Sequence, residues 1–190
     1  MSPKRPKSPV PFPRMVKPPV LPRDDSKSHM LGIPSGHDAL IGRVIWRWSY
    51  IEIIAEELIW RFLHVNVDVG RKITSRLDFR FKSRLLKELA ADTFRDEKLR
   101  TLLSLIGRID DLYDVRNMIA HGQWVTIQPG DIPAVQSLRE SLPTFAGRDE
   151  IVLTECTADF MLKIVEHILK CASLLVSYRD EISPSQNISG

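Results

Sequence analysis

Cysteine is nearly missing from this 190-residue chain, which holds two, and glycine is scarce at nine. Cys156 and Cys171 stand too far apart for a redox motif and are too few for a disulfide framework or a four-cysteine zinc site. A reduced, cytoplasmic setting is the corresponding expectation. No glycine-rich phosphate loop, no G-x-S-x-G elbow and no Cys–His pair of recognisable spacing occurs. His29, His37, His64 and His167 lack ligand spacing, so neither a metal nor a cofactor is expected. Long apolar runs are also missing. Residues 39–63 are broken by Arg43, Arg47, Glu52, Glu56 and Glu57, and residues 158–178 by Lys163, Glu166, His167 and Lys170. Charges at that density are too costly at a bilayer centre, so no membrane partner is expected.

What is present is unevenly distributed. Eight of the 13 prolines lie in residues 1–30, with seven Lys/Arg against Asp24 and Asp25. The remaining 160 residues carry 20 basic and 22 acidic side chains, so the net charge of +3 belongs to that leader. A globally basic nucleic-acid binder is thereby excluded for the folded part. Proline without apolar periodicity predicts an extended, mobile arm over residues 1–35. Its interrupted apolar content does not fit a secretory signal. A folded domain over 36–182 and a frayed polar end over 183–190 complete the expected organisation.

Apolar residues at steps of three and four predict four long helices. The first covers residues 37–64 and carries two stripes, one through Ile41, Val44, Ile45, Trp48, Ile51, Ala55, Leu58, Ile59 and Phe62, the other through Trp46, Tyr50, Ile53 and Trp60. A helix with two apolar faces must bury both, either between two neighbouring helices or against another subunit, and a homodimer is the expectation adopted. Residues 68–91 form the second helix, opened by Asp68, with Ile73, Leu77, Phe81, Leu85 and Leu89 inward. Beside them runs a basic row, Lys72, Arg76, Arg80, Arg84 and Lys87, able to track an RNA backbone or to complement acids of the next helix. The third helix runs from Asp96 to His121, and Gly122 stops it. Residues 123–127 and 150–154 alternate as strands, which predicts a long-looped β-hairpin, followed by a last helix capped by Thr154. The expected fold is all-α, an antiparallel four-helix bundle with a small β-hairpin insert before the last helix.

The chemistry concentrates in residues 110–122, D-D-L-Y-D-V-R-N-M-I-A-H-G. Asp110, Asp114, Asn117 and His121 form one polar row on a 3.6-residue helix. His121 ends the helix, where the dipole favours a cation, and with Arg116 it makes a donor pair suited to a phosphate. About 140° separates Arg116 from His121 on an ideal helix, so they converge only through the length of the arginine or through a second subunit. Asp114 is placed to bond His121 or Arg116. The carboxylates Asp110, Asp111 and Asp114 supply too few converging ligands for a metal.

Arg116-Asn117-Met118-Ile119-Ala120-His121 resembles the signature of HEPN domains, an Arg, a polar residue and, after a short spacer, a His. The resemblance covers residues 37–182. It implies an HEPN-like helical bundle that dimerises and acts as a metal-independent endoribonuclease of a prokaryotic toxin, defence or RNA-processing system. On that resemblance Arg116 steadies the scissile phosphate, His121 moves the proton, and Asn117 orients the imidazole or holds a phosphate oxygen. From their positions on the helices, and not from the resemblance, Asp110 and Asp114 are expected to support them, and Arg76, Arg80 and Arg84 to bind substrate. The alternative it also implies is a non-catalytic nucleotide- or protein-binding module, partnered by an antitoxin or a nucleotidyltransferase.

Overall fold

A computed structural model describes residues 15–16, 30–31, 33, 36–126, 134–139 and 150–182. The chain is mostly helical. In order it forms β1 (Met15–Val16), β2 (Met30–Leu31), α1 (His37–Phe62), α2 (Val67–Thr74), α3 (Phe79–Thr93), α4 (Asp96–His121), β3 (Gln123–Thr126), β4 (Ala134–Arg139), β5 (Glu150–Glu155) and α5 (Ala158–Glu181). Two compact units share these elements: residues 46–114 with 165–190, and residues 11–45 with 115–164.

The first unit is helical. Trp48, Ile51, Ile54, Leu58 and Ile59 from α1 are buried, as are Leu86 from α3, Leu102, Ile106, Ile109 and Leu112 from α4, and Ile168 and Leu175 from α5. Aromatic rings tie the helices to one another. Trp48 meets Phe79 edge-on at 4.8 Å, Phe79 meets Tyr113 at 5.2 Å, and Phe94 stands 5.8 Å from Phe62 and 5.9 Å from Tyr178. Lys82, buried on α3, is compensated by Glu56 of α1 at 2.5 Å, as a cation removed from water requires.

The expected second helix is two helices. Asn66 caps α2 by accepting from the Val69 amide at 3.0 Å, and Asp78 caps α3 by accepting from the Phe81 amide at 2.8 Å. Asp78 in an extended conformation cannot be an interior helical residue, so the apolar row read through it is broken. Ile73 and Phe81, expected inward, are exposed. Gly70 sits against the Trp60 indole, where a β-carbon would overlap the ring. That close approach half-buries Trp60, whose Nε1 donates to Thr74 Oγ1 at 3.1 Å.

α1 ends in a Schellman turn. The Val65 amide donates to Trp60 O and the His64 amide to Arg61 O, with His64 at φ 53°. A β-carbon in this left-handed conformation costs about 1–2 kcal/mol, and glycine's greater freedom when unfolded returns part of that. His64→Gly should therefore raise unfolding stability by about 0.5–1 kcal/mol, read from urea denaturation midpoints.

The second unit carries a five-stranded antiparallel sheet in the order β1-β5-β4-β3-β2. The expected direct hairpin between residues 123–127 and 150–154 is instead a meander, because β4 lies between its two arms. Val135 of β4 is opposite Trp124 on one side and Thr154 on the other. β1 pairs β5 and β2 pairs β3. Two short pieces of the expected arm thus belong to the sheet, while the rest of the arm apart from Ile33, and residues 183–190, lie outside the described residues. Trp124, Val135, Cys156 and Met161 are buried, and the last helix is capped by Thr157, not Thr154, through the Phe160 amide at 3.1 Å. Among the described residues no helix is long and apolar enough to cross a membrane.

Candidate functional site

The end of α4 lies in the sheet-bearing unit and is fixed from both sides. Val115 and Ile119 face inward, and the Trp124 indole donates to the Ile119 carbonyl at 3.1 Å. That bond satisfies one of the carbonyls that a helix terminus leaves without a partner. The Gly122 amide closes the last turn on Met118 O at 2.8 Å. His37 packs edge-on to Trp124 at 5.8 Å. With the backbone so held, Arg116, Asn117 and His121 present part of their side chains to solvent.

These three converge within one chain. Arg116 Nη1 donates to Asn117 Oδ1 at 2.9 Å and lies 3.3 Å from His121 Nε2. The reach of the arginine closes the angular gap that the helix leaves. A guanidinium only donates, so a hydrogen bond in this contact has Nε2 as its acceptor. Arg116 Nε is buried without a hydrogen-bond partner. His121 is exposed, and Arg116 and Asn117 are half-exposed. The cluster therefore offers an anion a planar, permanently charged donor beside a proton-accepting nitrogen.

The other expected site residues lie in the helical unit and have different partners. Asp114 pairs with Arg80, not with Arg116 or His121, and Asp110 pairs with Lys87 at 2.6 Å. Arg80 also lies over the Tyr113 ring at 5.5 Å. Asp114 thus takes part in a bridge between α3 and α4. Arg76 and Arg84 are exposed, the latter 5.3 Å over the Phe81 ring. Asp111 is left between two acids, and burial, followed by Asp114 and Asp110, lifts its carboxyl above the usual range. Among the described residues no three His, Cys, Asp or Glu side chains gather as a metal site would require.

One arrangement escaped the sequence. Arg61 donates to the carbonyls of Arg179 and Ile182 at 2.7 and 2.9 Å, closing the C-terminus of α5, while Arg179 is held by Glu57 at 2.8 Å. A cavity of about 790 Å³ opens beside them, lined by Ile53, Glu57, Trp60, Arg71 and Arg179 among others. Separations of more than 100 residues gave no local signal for it.

The cysteines take no part. Burial pushes the Cys156 thiol up to about 12 and raises Cys171 as well. Both should resist an aromatic disulfide reagent in the native protein and react only on unfolding, read from the absorbance of the released thiolate. Comparison with family models, with curated proteins and with solved structures finds no match.

Proposed function

We propose that the chain is a metal-independent endoribonuclease acting through Arg116, Asn117 and His121. The observation that carries this is the 3.3 Å approach of Arg116 Nη1 to His121 Nε2 at an exposed helix end. A phosphodiester entering there takes the guanidinium from Nε2, which then accepts the proton of the ribose 2′-hydroxyl. The 2′-oxygen forms its bond to phosphorus, the bond to the 5′-oxygen breaks, and the imidazolium returns the proton to that leaving oxygen. Arg116 stabilises the charge that develops on the phosphorane oxygens, and Asn117 Oδ1 holds the guanidinium in place. Arg76, Arg80 and Arg84 supply contacts to the phosphate backbone, within a cytoplasmic homodimer of the toxin, defence or RNA-processing kind. An HEPN-like bundle is the architecture this reading assigns to the helices.

The products are a 2′,3′-cyclic phosphate and a free 5′-hydroxyl. End-group analysis of a cleaved oligonucleotide tests this, since a 5′-phosphate product would overturn the mechanism. A second reading is favoured by the pairing of Arg80 with Asp114 and Lys87 with Asp110, which leaves fewer free cations for a polynucleotide. In it Arg116 and His121 hold a single nucleotide phosphate, or a partner such as an antitoxin or a nucleotidyltransferase, without cutting. Calorimetric binding of a nucleotide with RNA left intact would select it.

A further inference from the structure

α1 leaves its second apolar stripe uncovered. Trp46 is 64% exposed, Tyr50 46% and Ile53 53%. Three large side chains at steps of four and three on one helix make a continuous apolar patch, which a monomeric surface rarely leaves in water. The neighbouring Arg47 covers part of it, its guanidinium 4.3 Å over the Trp46 ring.

The order of residues along this stripe identifies what fits it. Tyr50 is central. Seven residues before it stands Arg43, exposed and without a partner among the described residues, and seven after it stands Glu57. Glu57 engages Arg179 through Oε2, and among the described residues no bond reaches its other oxygen. Positive, apolar and negative residues thus follow one another symmetrically about Tyr50. Such a stripe is complementary to itself when reversed. We infer that a second copy of this chain docks here, α1 against α1 in antiparallel orientation, with the two-fold axis at Tyr50.

Reversal about Tyr50 brings Arg43 of each copy opposite Glu57 of the other. It also sets each Trp46 opposite the turn Ile53–Glu57 of the other copy. That turn borders the cavity of about 790 Å³ lined by Ile53, Glu57 and Trp60, which gives the indole a recess to enter. A smaller recess of about 220 Å³ between Trp46, Tyr50 and Ile53 lies on the near side of Ile53. Each copy therefore carries both the protruding ring and its receptor, as an isologous contact requires. This extends the two-copy part of the proposed function and is independent of its chemistry.

Helices packed about 8–10 Å apart bring facing α-carbons at the axis to roughly 4–6 Å, within disulfide reach. In full-length Tyr50→Cys, mild oxidation should give a covalent dimer on a non-reducing gel, whereas Arg100→Cys, exposed on α4, should give none. Light scattering should report the wild-type chain at twice 21.7 kDa. Trp46→Glu should give 21.7 kDa with an unchanged far-ultraviolet spectrum, and Arg43→Glu should weaken association at least tenfold. A monomeric wild type overturns the inference, and so does a dimer that Tyr50→Cys does not lock or that survives Trp46→Glu. RNA cleavage is read separately, so a monomer that still cuts RNA would refute this interface and leave the ribonuclease reading standing.

Discussion

His121→Ala should lower the rate of RNA cleavage by about 10²–10⁴-fold, the range removed with a positioned proton-transfer group. Arg116→Ala should lower it by about 10²–10³-fold, as loss of a donor to transition-state charge does. The two losses should not add, because one guanidinium and one imidazole act on the same phosphate in one step. Arg116→Lys should recover only part of the loss, since an ammonium cannot both donate to Asn117 Oδ1 and present a planar pair of donors. Both positions lie outside the buried core, so the unfolding free energy of His121→Ala should stay within about 0.5 kcal/mol of the parent. Single-turnover rates beside denaturation curves separate lost chemistry from lost folding.

Trp48→Ala should cost about 3–5 kcal/mol of stability, the range for a buried tryptophan cut to alanine. The ring is 1% exposed and packs on Phe79 at 4.8 Å and Tyr113 at 5.6 Å, so its loss opens a void between α1, α3 and α4. Trp48→Phe should cost much less. The indole Nε1 is buried without a hydrogen-bond partner, and replacing it by carbon removes an uncompensated polar group while keeping an aromatic ring. Chemical denaturation of the two variants reads the difference. Equal losses would mean that the indole volume, and not merely an aromatic ring, sets the packing.

Periodicity made the long helices legible where it is local and unbroken. The two stripes of α1 separate in the main, with Trp48 and Leu58 buried and Trp46 and Tyr50 exposed, whereas Ile45 of the inward stripe is exposed and Trp60 of the other is half-buried. α4 begins and ends at the expected residues because Asp96 and Gly122 bracket it. The joined second helix was misread because Leu77 and Phe81 continue the apolar step through Asp78, whose capping bond depends on backbone conformation and not on spacing. β4 was hidden by Pro129, Gly130 and Pro133, which read as turn, and a strand flanked by partners on both sides declares itself only through pairing. Within the candidate site, the motif residues were visible as a row on one helix. Their mutual geometry was not, since Arg116 reaches His121 by side-chain length. The partner of Asp114 was also illegible, because Arg80 is 34 residues away on another helix.

The central claim is that Arg116 and His121 form an RNA-cleaving site that needs no divalent metal. Incubating purified protein with single-stranded RNA in excess EDTA, beside His121→Ala, tests it most directly. The account predicts cleavage by the wild-type chain and intact RNA with the variant. Intact RNA with both proteins, or equal cleavage by both, would contradict it.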